Sequence, residues 1–110
     1  MLELFFLLLV GHAVADYAMQ SDYIVAAKNR NDTERDGKQH WFWVLSAHCL
    51  INGGAVYLVT GSFLLAVCET ILHFFIDFSK NEKWISYEVD QTLHWLCKVL
   101  WTVLFFSGIN

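Results

Sequence analysis

Three stretches of the chain carry a histidine and an aspartate four residues apart: His12/Asp16, His73/Asp77 and Asp90/His94. A fourth histidine, His48, lies between the first two pairs. Residues at i and i+4 share one helical face, so each pair can aim two donor atoms at a single point. One such pair is commonplace on a soluble helix. Three pairs plus His48, all set in apolar stretches, carry more weight, because ionisable side chains in such surroundings are rare and usually functional. Neutral imidazole with carboxylate is the ligand chemistry of zinc and of harder transition metals. The seven side chains exceed one tetrahedral shell. Either two ions share them, or some orient the others and one acts as general base. A divalent transition metal is therefore the expected cofactor, zinc the leading candidate, as one or two ions. Asp16 and Asp90 are the candidate catalytic carboxylates. The plainer alternative is a His–Asp network that only fixes packing. His40, at the start of its segment, reads as a solvated side chain.

Two stripes extend this set. Glu69 lies one turn before His73, and Lys98 one turn beyond His94, giving Glu69-His73-Asp77 and Asp90-His94-Lys98. Their matched depth predicts a Glu69–Lys98 ion pair, most simply a structural one. Gln20 and Gln91 are placed to add hydrogen bonds.

The elements that must position these residues follow from composition. In 110 residues there is room for a single domain, 1–110; 56% of them are hydrophobic and only 16% charged, against roughly 25% charged in soluble domains. Aromatic residues make up 16% and proline is absent, which suits long helices with aromatic belts. Four apolar segments, about 2–20, 40–60, 62–78 and 89–107, each approach the roughly 20 residues that cross a bilayer core. Backbone groups in lipid must be bonded within their own segment, so helices are expected. Gly61-Ser62 reads as a tight turn with Ser62 as N-cap. Asn52-Gly53-Gly54 reads as a close-packing face within the second helix. Cys49, Cys68 and Cys97, odd in number and set in apolar runs, form no disulfide framework and read as buried thiols.

The net charge of −4 is unevenly placed. In segment 21–39, Lys28, Arg30, Arg35 and Lys38 offset Asp22, Asp32, Glu34 and Asp36. In segment 79–88, Lys80 and Lys83 offset Glu82 and Glu88. The deficit falls on Glu3, Asp16, Glu69, Asp77 and Asp90 against Lys98 alone. Stranded carboxylates are costly in a low-dielectric medium and require compensation. No basic patch indicates nucleic acid as a partner. Six of the seven basic residues lie in the two polar segments, which predicts that loops 21–39 and 79–88 are cytoplasmic and both termini outside. Residues 21–28 could continue as an interfacial helix, with 29–36 as turn or coil. No basic residue precedes the first apolar run, so it is expected to be retained rather than cleaved, keeping His12. The resulting expectation is an all-α integral membrane four-helix bundle. Its polar His/Asp site lies within roughly 12–15 Å of the cytoplasmic face at 1.5 Å per residue.

The pattern His12-x3-Asp16-x3-Gln20, a histidine in the second helix, His73-Phe74-Phe75-Ile76-Asp77 and Asp90-Gln91-x2-His94 resembles the domain-of-unknown-function-3307 family. The resemblance covers nearly the whole chain. It implies a small multi-pass protein of the bacterial inner membrane, or one encoded by a phage, whose role is not established. The His/Asp layout is similar, more loosely, to families described as membrane-bound metal-dependent hydrolases. The leading functional expectation is a metal-dependent intramembrane hydrolase acting on a lipid or lipid-linked phosphate or ester at the cytoplasmic leaflet. The alternative is a non-catalytic membrane factor in which the cluster is a structural staple. The expected partners are the bilayer and such a lipid substrate, with homo-oligomerisation left open.

Overall fold

The computed structural model describes residues 1–34 and 36–110; Arg35, counted above in the loop charge, lies outside them. Among the described residues the chain is all-α, with five helices and no strand: α1 (Leu2–Ala13), α2 (Asp22–Ala27), α3 (Gly37–Thr60), α4 (Phe63–Asn81) and α5 (Tyr87–Phe106). A π-helical turn, Val14–Ala18, extends α1 without a break. It is closed by the amide of Met19 donating to the carbonyl of Val14 at 2.9 Å. Such turns insert one residue into a helix and concentrate at functional sites. This one carries Asp16.

Segment 21–39 is more structured than a solvated loop. Ser21 caps α2 by accepting from the amide of Ile24 at 3.3 Å, and α2 packs against α3 with Ala27 and Lys28 buried. The third helix starts at Gly37 rather than His40. Asp32 Oδ2 accepts from the Gly37 amide at 3.2 Å, and a Cβ at Gly37 would lie 2.2 Å from the Asn29 carbonyl oxygen. Only glycine lets the incoming loop approach that closely. Outside the bundle, Arg30 pairs with Glu82, and that hydrogen bond holds the Glu82 carboxyl below its ordinary range.

Helices α3 and α4 form an antiparallel pair, turned at Gly61 (φ 69°). Ser62 caps α4 by accepting from the Leu65 amide at 3.1 Å. The Asn52-Gly53-Gly54 stretch stays helical, and its two glycines differ. A Cβ on Gly53 would meet Thr70 Oγ1 at 2.0 Å and the Ala66 carbonyl at 2.8 Å, whereas one on Gly54 meets nothing within 4 Å. Gly53 is therefore the contact that sets the α3–α4 spacing.

The bundle measures 44 × 22 × 21 Å and is polar inside at one end and apolar at the other. Leu8, Val56, Leu65, Cys97 and Trp101 form the apolar core near the Gly61 turn. Toward the α2 end, the buried side chains include those of His12, Asp16, Lys28, His48, His73, Asp77, Asp90 and His94, beside the apolar Leu45 and Cys49. The outer surface is apolar: Leu58 is 86% exposed, Leu2 83% and Phe63 75%. One helix, Gly37–Thr60, with mean hydropathy 1.5, is long and apolar enough to cross a membrane. Helices α4 and α5 have the length, but Glu69, Asp77 and Lys80 on one, and Glu88, Asp90 and Lys98 on the other, lower their hydropathy.

Gly53→Ala is expected to destabilise the protein by about 1–3 kcal/mol through overpacking. Gly54→Ala should be neutral or stabilising by up to about 1 kcal/mol. Denaturant titration of both variants in detergent compares them; equal effects would remove Gly53 as the spacing contact.

Candidate metal centre

Several elements deliver side chains to one buried layer. The π turn supplies Asp16, α3 supplies His48, and α4 supplies His73 and Asp77, one helical turn apart. Four atoms converge there: Asp16 Oδ1, His48 Nε2, His73 Nε2 and Asp77 Oδ2. The separations are 2.9 Å from His48 to Asp16, 3.2 Å from His48 to His73 and 3.4 Å from His73 to Asp16. Asp77 lies 3.3 Å from His48 and 3.6 Å from His73. The two carboxylate oxygens are within 4.8 Å of each other.

Two physical arguments bear on what this arrangement can hold. A regular tetrahedron around an ion bonded at about 2.0–2.1 Å has edges of about 3.3–3.4 Å, which is the middle of the range seen. Hydrogen bonding alone fits the geometry less well. A neutral imidazole nitrogen either donates one proton or accepts one, yet His48 Nε2 faces three partners at 2.9–3.3 Å. The four side chains form a group that could hold a metal ion.

A second group shares Asp77. His94 Nε2 lies 3.1 Å from the other aspartate oxygen, Asp77 Oδ1, and 3.4 Å from Asp90 Oδ1. Asp90 Oδ1 and the Nδ1 atoms of His12 and His94 are buried without a hydrogen-bond partner among the described residues. His12 stands aside from the four converging atoms. Its Nε2 is 3.0 Å from Gln91 Oε1 and 3.8 Å from Asp16 Oδ2. Gln91 spans the groups by donating to Asp16 Oδ2 and Asp90 Oδ2, each at 3.1 Å.

Lys28, placed above among charges that cancel within a loop, belongs to the site instead. It is 1% exposed and its ammonium donates to Asp77 Oδ2 at 2.7 Å and to Gln20 Oε1 at 2.5 Å. Gln20 in turn donates to the Asp16 carbonyl at 2.8 Å, and Asn81 Nδ2 holds the Lys28 carbonyl at 3.1 Å. The signal in the sequence was the face Ile24-Ala27-Lys28 of a short amphipathic helix, which the evenly mixed charges around it obscured. Trp101 was also missed. It continues the Asp90-His94-Lys98 stripe, and a buried indole N–H needs an acceptor. That acceptor is Glu69 Oε2, at 2.6 Å, while Lys98 Nζ donates to Glu69 Oε1 at 2.6 Å. Glu69 is thus doubly bonded beneath the cluster, and its Oε1 lies 3.4 Å from His73 Nδ1.

The charges then come close to closing. Glu69 and Lys98 cancel, and Lys28 offsets one of Asp16, Asp77 and Asp90. Two negative charges remain when the imidazoles are neutral, the amount that one divalent ion neutralises. The fold and the site together define an all-α protein with buried His/Asp groups that could hold a metal ion. A family described as "Protein of unknown function (DUF3307)" matches residues 4–110, and the chain belongs to that family. No curated protein and no solved structure matches it.

Lys98→Met is expected to cost about 3–5 kcal/mol by leaving the Glu69 carboxylate buried with one partner fewer. Glu69→Leu should cost at least as much, since it strips both Lys98 and Trp101 of their acceptor. The double variant should recover much of the loss. Unfolding measurements in which the double variant is no more stable than the worse single one would show that the pair is not coupled.

Proposed function

We propose that this chain is a multi-pass membrane metalloprotein, a four-span bundle with one divalent ion held by Asp16, His48, His73 and Asp77. In this reading it hydrolyses a lipid or lipid-linked phosphate or ester at the cytoplasmic leaflet. The observation that carries the metal is the near-tetrahedral spacing of the four ligand atoms, 2.9–3.6 Å over five edges. Support for the bilayer comes from the partition of side chains. The ionisable residues of α4 and α5 that lower their hydropathy point largely inward, with Glu69, Asp77, Asp90 and Lys98 each 1% exposed, while large apolar side chains face out. Apolar surface that extensive marks contact with a membrane or a partner, and the 44 Å long axis exceeds a hydrocarbon core of roughly 30 Å.

A divalent ion held by Asp16, His48, His73 and Asp77 would supply Lewis acidity and lower the pKa of water toward neutral. Hydrolysis adds the hydroxyl to the phosphorus or acyl carbon, breaks the ester bond, and returns the proton to the departing oxygen. Of the two expected catalytic carboxylates, Asp16 is engaged as a ligand. Asp90 Oδ1 and the Nδ1 atoms of His12 and His94 are buried without hydrogen-bond partners among the described residues, and of these Asp90 Oδ1 and His12 Nδ1 are the proposed acceptors of the water's proton. The second reading, a structural staple, is favoured by one observation: the cluster ties the π turn, α2, α3, α4 and α5 at a single layer, which an ion would fasten whether or not it did chemistry.

Detergent-purified protein is expected to contain at least one zinc, manganese, iron or nickel ion per chain by elemental analysis. His48→Ala or His73→Ala should reduce that content sharply, and His40→Ala should leave it unchanged. Wild-type protein that contains none and takes up none of these ions would sink the proposal. Metal without cleavage of any lipid phosphate or ester would favour the staple. For topology, the basic residues of segments 21–39 and 79–88 support an orientation with both termini outside. In a cysteine-free background, an impermeant thiol reagent on intact cells should label a cysteine at position 110 and spare one at 31; the reverse pattern inverts the assignment.

A further inference from the structure

Asp77 presents its two oxygens to different partners. Oδ2 belongs to the four-ligand group, and Oδ1 faces His94 Nε2 at 3.1 Å. Asp90 Oδ1 is 3.4 Å from the same nitrogen, so Asp77 Oδ1, Asp90 Oδ1 and His94 Nε2 form a second convergent set. His94 Nε2 and Asp77 Oδ1 are within hydrogen-bond distance of each other, which leaves Asp90 Oδ1 over. Asp90 is 1% exposed, yet its Oδ1 has no hydrogen-bond partner among the described residues. A buried carboxylate oxygen left unpaired costs free energy unless something binds it. Its other oxygen is held by Gln91 Nε2 at 3.1 Å, which fixes the free one toward His94.

We infer that Asp77 bridges two metal positions, the second formed by Asp77 Oδ1, Asp90 and His94, and that the substrate is an anionic phosphoester. This rests on the four-ligand centre proposed above. A carboxylate bridging through both oxygens sets two ions about 3.5–4 Å apart, the separation used for phosphoryl substrates. The second position has three protein ligands, and three with an open fourth place is the pattern of a catalytic rather than a structural site.

Charge selects the substrate. One divalent ion already neutralises Asp16, Asp77 and Asp90 beside Lys28, so a second brings two surplus positive charges into a buried layer. These are tolerated only when an anion comes with them. A phosphoester supplies that anion; a neutral carboxylic ester does not. Gln91, bonded to both Asp16 and Asp90, also lines a cavity of ≈ 310 Å³ together with Thr92 and Trp95. With Asp90 bound to the ion, His12 is the remaining proton acceptor. Its ring centroid is 5.5 Å from that of His94.

The test uses detergent-solubilised full-length protein, manganese(II) and inorganic phosphate. In phosphate-free buffer one manganese per chain is expected. With phosphate a second should bind, its affinity raised at least about tenfold, with a reciprocal gain in phosphate affinity. Paramagnetic resonance of the wild type should then change from isolated-ion lines to the spectrum of an exchange-coupled pair. Asp90→Asn should keep the first ion and lose the phosphate-dependent second. Should that variant not fold, the wild-type spectrum decides alone. A stoichiometry of one at every phosphate concentration would remove the second position and leave the four-ligand centre standing. A second ion that persists in folded Asp90→Asn would assign it elsewhere. No bound manganese at all would remove both.

Discussion

Asp16, Asp77 and Asp90 are nearly sealed from solvent within one layer of a narrow bundle, where an uncompensated carboxylate costs several kcal/mol. The architecture around them follows from that constraint. A single helix cannot relieve it, so partners arrive from every side. The π turn offers Asp16 to His48, α2 folds against α3 and delivers Lys28 to Asp77, and α5 brings His94 to the other Asp77 oxygen. Below this layer Glu69 is satisfied separately by Lys98 and Trp101. What remains is a buried His/Asp group that could hold a metal ion, with two negative charges to spare when the imidazoles are neutral.

The same constraint orders the molecule along its axis. The apolar core of Leu8, Val56, Leu65, Cys97 and Trp101 closes the Gly61 end, and the Glu69–Lys98–Trp101 group sits directly above it. Among the described residues, no Asp, Glu, His, Lys or Arg belongs to that core. At the other end Lys28 bonds both Gln20 and Asp77, and between the π turn and α5 the Tyr17 and Tyr87 hydroxyls meet at 2.5 Å.

Much of this was legible in the residues, for reasons that can be named. The i, i+4 spacing of His12/Asp16, His73/Asp77 and Asp90/His94 places each pair on one face regardless of tertiary detail. Gly61-Ser62 announces its own turn by backbone chemistry. The division of the seven candidates was not legible. Whether His12 or Asp16 enters the four-ligand group depends on helix rotation and on the π turn, and neither leaves a periodic trace. Lys28 was hidden for a different reason. Equal numbers of acids and bases in segment 21–39 describe a solvated loop, and only the packing of α2 against α3 withdraws one base from the balance. Hydropathy also understates α4 and α5, since it counts charges without regard to the side they face.

The four-ligand centre is tested most directly by X-ray absorption at the zinc edge on protein loaded with one zinc per chain. A first shell of four nitrogen and oxygen neighbours at about 2.0–2.1 Å is expected, with outer-shell scattering from two imidazoles that is lost in part in His73→Ala. Sulfur scattering at about 2.3 Å from a cysteine ligand, or a shell with no imidazole contribution, would contradict the assignment of Asp16, His48, His73 and Asp77 as the ligands.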